Sequence, residues 1–450
     1  MVKSANAEAI LPGEQAEGFT DLLTGLGNRN RLCEKVKQLA LERADDPAPF
    51  TIGIANLDGF RPINDLFGRE AGDEILCQVA HRLSACMPSG AIVTRQAGDE
   101  FAFVLPLVFE RNGAERIGAM FKEVLSAPYD LGDRHVRLSA SFGFAVYPFA
   151  GEDFPDLLKS AETALYRSKR KGTGRVTVYS SEIADEMRRS TQIEQALRNA
   201  IIADEVDVHF QPIVNLAGDE IVGFEALARW TDADLGFVSP AIFVPLAEER
   251  GFIDILTETL LRKAAAAAVA WPHDLFLSFN LSSAQLTDLR TSQNVMSIIN
   301  RVGLDPRRLE LEITETAVVA DPETAAKIIT NLRAEGIRVS LDDFGTGQSS
   351  LGRLMDFNFD KLKIDRAFVC RITQDPAAEH IIKAIIAMCE GLGLEVVAEG
   401  VEDFAEALKL KALGCAMAQG YFYGKAMDRK AVKAFLAEKY VDFTGQFVRY

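Results

Sequence analysis

From residue 205 onward, short β-rich runs recur: IVGFEALARW, LFLSFNLS, RLELEITE, IRVSLDDFG, KLKID, LEVVAEGVE and MAQGYFYG. Most are followed by ten or more residues of helical pattern. Strand–helix units repeated this many times predict a barrel of the TIM type, because parallel strands need crossovers and a closed sheet leaves no edge.

Each run carries a polar group at or near its carboxyl end. They are Glu225, Asn280, Glu312, Asp342 with Asp343, Lys363, Glu399 and Gln419. Alone, each reads as a solvated strand end, a turn, or a lysine snorkelling from a buried strand. Seven at successive strand ends do not, since parallel strands bring all these ends to one rim, where catalytic groups gather. A rim with this many carboxylates stays ionised only with cations, and hard divalent metals suit oxygen ligands.

The rest of the chain sets the boundaries. With 450 residues, two domains of ordinary size are expected. A strand-like RVTVY ends at Tyr179, and a helical stretch follows with Ile183, Met187, Ile193 and Leu197 at near-helical intervals. The expected organisation is a flexible start (1–17), a first domain (18–180), a connecting helix (181–204), a second domain (205–440) and a tail (441–450). In the first domain, helices at Asn30–Arg43, Gly72–Ala85 and Arg111–Ser126 alternate with strands at Phe50–Asn56, Ile92–Arg95, Phe101–Leu105 and Leu138–Tyr147. That pattern predicts an α+β sandwich with helices on one face of a sheet.

A net charge of −16 argues against general DNA, RNA or membrane-surface binding. The start MVKSANAEAILPGEQ has no signal-peptide core, and the longest apolar run, Ala264–Trp271, is too short to span a membrane. Six cysteines without framework spacing and five scattered histidines suggest a reducing cytoplasm and no zinc site.

The second domain resembles the EAL family, named for the motif that stands here as Glu225-Ala226-Leu227. The match continues through Gln211-Pro212, Arg229-Trp230, Asn280-Leu281-Ser282, Glu312 to Glu315, Asp342 to Gly347, Lys363-Ile364-Asp365, Glu399 to Glu402 and Gln419-Gly420-Tyr421. The resemblance implies hydrolysis of cyclic di-GMP to linear pGpG by a two-metal site using Mg²⁺ or Mn²⁺. It implies Glu225, Asn280, Glu312 and Asp342 as ligands of one ion, with Asp342 and Asp343 holding the second and Glu399 supporting it. Lys363 then positions, or deprotonates, the attacking water. Gln211, Leu227, Arg229, Gln419 and Glu402 fall on the substrate side or the rim, and Glu315 braces the Asp342–Ser350 loop. A homodimer through this domain is also implied. Gln348 stands where the family usually has an aromatic residue.

Residues 18–180 resemble the GGDEF diguanylate cyclase family through Asp21 to Leu26, Asn28-Arg29, Asn64-Asp65, Gly72-Asp73, the Ala97–Phe101 turn, Tyr166 and Lys169. Three departures weaken the cyclase. The signature turn starts Ala97-Gly98. Asn56 stands where the family has a metal-binding Asp. Gly172-Thr173-Gly174 replaces Gly-Arg-Asn and loses a phosphate-binding Arg. The RxxD inhibitory motif reads Pro88 to Ala91. Asn64, Asp73, Asp99 and Lys169 remain as candidate GTP contacts. Three roles stay open for this domain: dimerising spacer, GTP sensor or residual cyclase. For the whole chain the alternatives are a non-catalytic cyclic di-GMP receptor and a bifunctional cyclase–phosphodiesterase.

Overall fold

The computed structural model describes residues 18–42, 49–132, 134–315, 317–344 and 357–441. The expected flexible start, nearly all of the tail, and the loop that follows Phe344 through Ser350, with Gln348, lie outside them. The chain forms two compact units that divide between Arg189 and Ser190.

In the first unit, β1 (Phe50–Asp58), β2 (Ile92–Ala97), β3 (Glu100–Leu105), β6 (Ser139–Tyr147) and β7 (Val176–Val178) form one sheet; β4 (Tyr129–Asp130) and β5 (His135–Val136) make a separate ribbon. The sheet order is β2-β3-β1-β6-β7, antiparallel except for β6 with β7. Helices cover both faces, which corrects the expectation of one. On one side Phe101, Phe103, Phe142 and Phe144 pack on helices Arg69–Cys86 and Arg111–Ser126. On the other, Phe50, Ile52, Ile54 and Val104 pack on helices Arg29–Glu42 and Phe154–Arg170. The sign of this lay in β1, buried at each of its first eight positions as a strand covered on both faces must be.

Helices Phe60–Phe67 and Phe154–Arg170 are additional to those expected. The second is capped by Asp153, whose carboxylate accepts from Asp156 N at 2.9 Å, with Pro155 in the first turn. It lies so close to β6 that a Cβ on Gly143 would stand 2.1 Å from Leu165 N and 2.2 Å from Ala161 O.

The second unit holds β8 (Asp207–Asn215), β9 (Glu220–Asp232), β10 (Gly236–Val238), β11 (Phe276–Asn280), β12 (Leu309–Thr314), β13 (Arg338–Phe344), β14 (Lys361–Ile364), β15 (Glu395–Ala398) and β16 (Met417–Gln419). Eight of them close a barrel in the order β8-β9-β11-β12-β13-β14-β15-β16 and back to β8, while β10 pairs outside on β9. The TIM-like barrel of the sequence reading is therefore present, with one strand reversed: β8 runs antiparallel to both neighbours. The cause is local. β8 reaches β9 through a short turn with Asp219 at φ 55°, so no helix intervenes to return the chain in parallel. Helices such as Ile253–Ala268, Thr291–Val302 and Pro376–Leu392 cover the outside. The helix Ser181–Ile202 spans the division, and Ile193, Leu197 and Ile201 join the barrel core. Among the described residues no helix is long and apolar enough to cross a membrane.

Gly143→Ala should destabilise the first unit by about 3 kcal/mol, because the obstructing atoms are backbone and cannot rotate away. Urea unfolding of the purified chain reads this directly; an unchanged transition would contradict the close strand–helix contact.

Candidate active site at the barrel rim

Strand alternation sends every second side chain into the barrel. On β12 that selects Glu310 and Glu312, on β14 Lys361 and Lys363, on β11 Ser278 and Asn280, and on β9 Glu225 and Leu227. The backbone registers then set their heights, pairing Ser278 with Glu225 and Asn280 with Glu312.

Lys363 stands at the centre. Its Nζ lies 2.5 Å from Glu399, 2.7 Å from Glu312, 3.7 Å from Asp342 and 3.9 Å from Glu225. The residue is 1 % exposed. Burial opposes its charge, but the four carboxylates outweigh that and hold the ammonium well above the ordinary lysine range.

The carboxylates divide by their surroundings. Glu225 is held low: burial opposes this, but Lys363 and hydrogen bonds from Gln419 Nε2 at 2.6 Å and Asn280 Nδ2 at 2.7 Å prevail. Glu312 accepts from Ser278 Oγ at 2.7 Å and is pushed well above the usual range by burial and by the charge of Glu225. Burial raises Glu399 to about 7, against the pull of Lys363. The carboxyls around Lys363 titrate as a group.

Gln211, on the reversed strand, sits opposite Glu225 in register and accepts from Gln419 Nε2 at 3.2 Å. Gln419 Oε1 is buried with no hydrogen-bond partner among the described residues, and so is Glu315 Oε2. A cavity of about 310 Å³ opens above the ring, lined by Gln211, Glu225, Asp342, Glu399, Glu402 and Gln419. A second, of about 580 Å³ and mostly apolar, holds Arg229 and Asn280, and Leu227 lines both. Arg229 donates to Ala228 O at 2.8 Å. The structure thus gathers the expected barrel residues around the ring and its two cavities, with two exceptions: the side chain of Asp343 lies outside the described residues, as does most of the loop that Glu315 was expected to brace.

Three groups escaped the sequence reading. Ser278 supports Glu312, and Glu248 Oε1 accepts from Ser282 Oγ, of the Asn280-Leu281-Ser282 motif, at 2.5 Å. Arg366 bonds Glu402 at 2.5 Å and lays its stem over Gly400, where a Cβ would meet Arg366 Cγ at 2.3 Å. The period-two spacing of Ser278 from Asn280 was the available signal for the first.

Oxygen donors suited to a hard cation are present. Glu225, Glu312 and Asp342 face one ammonium, Asn280 spends its nitrogen on Glu225 and keeps its carbonyl oxygen, and Gln419 holds an orphaned one. As placed, no three acidic, His or Cys side chains among the described residues converge on a common point for an ion. The ammonium of Lys363 occupies their centre instead. The donor set therefore fits divalent ions by its chemistry, with Glu225, Asn280, Glu312 and Asp342 as the groups able to hold one.

In the first unit the candidate nucleotide residues lie on separate elements. Asn64 is on helix Phe60–Phe67, with its Oδ1 against Gly72; Asp73 is exposed on the next helix; Lys169 is exposed near the end of helix Phe154–Arg170. Asp99, at the hairpin turn, accepts from Asn56 Nδ2 at 3.1 Å. Asp58 is committed to Ser139, Ser141 and Gly174 N at 2.7–2.8 Å.

Comparison with known proteins follows this geometry. Residues 194–426 match the EAL domain, and residues 18–175 match the family described as diguanylate cyclase, GGDEF domain. The chain belongs to the GGDEF–EAL proteins. It is 33% identical over 421 residues to the bifunctional diguanylate cyclase/cyclic di-GMP phosphodiesterase MucR of Pseudomonas aeruginosa, covering 93% of this chain and 61% of MucR. It is also 33% identical over 420 residues to the cyclic di-GMP phosphodiesterase NbdA of the same organism, covering 92% of this chain and 54% of NbdA. Among solved structures, the PaMucR phosphodiesterase in complex with c-di-GMP superposes with a TM-score of 0.51 at 35% identity, over 54% of this chain and 99% of that one. The chain spans half to three-fifths of the length of the first of these curated relatives.

An ion entering this rim competes with the proton on Glu399. Its raised carboxyl favours the protonated native state, so the metal-free chain loses this contribution to stability as pH rises from the ordinary carboxylate range to about 7. Mn²⁺ affinity should rise over the same window, by up to about tenfold per pH unit for one displaced proton, and level off above it. Calorimetric titration at several pH values checks this; a flat affinity between pH 5 and 7 would contradict it.

Proposed function

We propose that this chain hydrolyses cyclic di-GMP to linear pGpG at the barrel rim, with two divalent ions, Mg²⁺ or Mn²⁺. The observation that carries this reading is the Lys363 ammonium ringed by Glu225, Glu312, Asp342 and Glu399. The phosphodiesterase relatives support it, as does the presence at the rim of every EAL ligand position whose side chain is described. A receptor that binds without cutting would have no need of this ring of carboxylates around Lys363. When bound, the ions would neutralise the phosphodiester and make water a better acid.

The chain's own groups do the rest. Gln419 holds Glu225 by donation and, with Gln211, fixes that edge of the site. Arg229 supplies a cation for the second phosphate from the adjoining cavity. Lys363, at the centre of the four carboxylates, is placed to donate to the attacking water and to a phosphate oxygen and so to orient both. Glu399, 2.5 Å from the Lys363 ammonium, would support the second ion once its proton is displaced. Water attacks phosphorus, the P–O3′ bond breaks, and the proton given up by the water is balanced by one taken up on the leaving 3′ oxygen. The product is the linear dinucleotide with a 5′-phosphate.

The first unit reads as a regulatory, GTP-binding module rather than a cyclase. The Asn56 amide donates to Asp99 where two carboxylates would be needed to hold ions, and this supports loss of synthesis. GTP should bind the full chain with affinity in the micromolar range, about −8 kcal/mol, and Asp73→Ala should weaken it. No heat at millimolar GTP would make the unit a scaffold.

Lys363→Met should lower kcat on cyclic di-GMP about a thousandfold while KM stays within about threefold. Steady-state assay with product identification checks this. A change confined to KM would reduce Lys363 to a phosphate contact, and no turnover by the unmodified chain with saturating Mn²⁺ would remove the hydrolase reading.

A further inference from the structure

The layer below the catalytic ring is also ionic. Two residues down on the same strands, Lys361 Nζ lies 2.7 Å from Glu310 Oε2, and the residues are 0 % and 1 % exposed. The catalytic pair, Lys363 and Glu312, repeats this contact at the same 2.7 Å. Both pairs join β14 to β12 across the intervening β13. They are two rungs of one ladder, about 7 Å apart along the strands.

A layer inside a barrel of this type is normally filled by branched apolar side chains. Part of this layer is: Ile213, Phe276, Val397 and Met417 pack together within it. The other part holds Lys361, Glu310, Arg338 and Glu395. Arg338 approaches Glu310 at 3.7 Å and Glu395 at 3.6 Å, and Lys361 approaches Glu395 at 3.9 Å. The face of Phe276 lies 4.2 Å from Lys361 Nζ and 4.7 Å from the Arg338 guanidinium. Stability alone is a poor reason for this arrangement, because a buried ion pair is often matched or bettered by apolar residues of the same size.

The backbone supplies a better reason. β13 and β14 pair regularly at Ser340 with Lys361 and at Leu341 with Leu362, and then the register shifts before Phe344 meets Ile364. Asp342, Asp343 and Lys363 all lie within that irregular stretch. On the side of β14 that faces β13 and β12, the ladder that normally fixes one strand's height against the next is therefore interrupted at the catalytic level, while β15 still pairs regularly with Lys363 and Ile364 on the other side. Lys361, of the lower rung, lies in the regularly paired stretch just beneath the interruption, opposite Ser340.

We infer that the Lys361–Glu310 pair is a positioning rung: it fixes β14 against β12 so that Lys363 is held at the centre of the carboxylate ring. The consequence for turnover rests on the hydrolase reading above. Neither residue touches the cavity over the ring, so the effect passes wholly through the placement of Lys363.

The test replaces the rung by an apolar pair of similar volume, Glu310→Leu with Lys361→Met, in the full chain. The melting temperature should equal or exceed that of the unmodified protein. On cyclic di-GMP with saturating Mn²⁺, kcat should fall about a hundredfold, the loss expected of a misplaced catalytic group, with KM within about threefold. A purely structural pair would give the opposite split: a lower melting temperature with unchanged kcat for the folded enzyme, and that result overturns the proposal. A crystal structure of the double variant supplies a readout without activity. Lengthened Lys363–Glu312 and Lys363–Glu399 contacts support the rung, and unchanged contacts overturn it. If the unmodified chain does not cleave cyclic di-GMP, the hydrolase reading fails, and the structural comparison still decides for or against the rung.

Discussion

One ammonium facing four carboxylates is the constraint on which the rim depends. At an effective dielectric of about 20, a unit charge 4 Å away contributes about 4 kcal/mol, so several such neighbours exceed the few kcal/mol that burial of a lysine demands. Lys363 is consequently locked as a cation, and the ring still carries surplus negative charge. Hydrogen-bond donors settle on Glu225, while burial pushes the carboxyls of Glu312 and Glu399 up. Under the hydrolase reading, this surplus is what divalent ions would neutralise.

The barrel exists in a form that serves this ring. Five parallel strands deliver Glu312, Asp342, Lys363 and Glu399 with Asn280 beside them, each at or just beyond a strand's carboxyl end. The reversed strand β8 has a different use. Running antiparallel, it places Gln211 in mid-strand opposite Glu225 and lets one side-chain amide, that of Gln419, join both. In the first unit the contrast is plain: a neutral amide, that of Asn56, donates to Asp99, so this pair brings one negative charge where the barrel rim brings four carboxylates.

Much of this was legible in the sequence, and for an identifiable reason. Polar residues at successive strand ends are improbable in a barrel unless a site requires them, so Glu225 through Gln419 announced themselves. The reversal of β8 was not visible, because the pattern of a strand carries no direction; only the short turn around Asp219 distinguishes it. Helices on both faces of the first sheet were missed for a related reason, since a strand buried on both sides loses its alternation. Ser278, Glu310 and Lys361 were hidden by their neighbours: in LFLSFN, LELE and KLK, the last residue of each motif drew the attention, and the one two places earlier shares its face of the strand.

The central claim is that the rim delivers water to a phosphodiester. Turnover of cyclic di-GMP with Mn²⁺ in ¹⁸O-labelled water, followed by mass spectrometry, tests it most directly. The account predicts pGpG carrying one labelled oxygen on its 5′-phosphate, with turnover abolished by chelation. Absence of pGpG at saturating ion, or pGpG without the label, would contradict it.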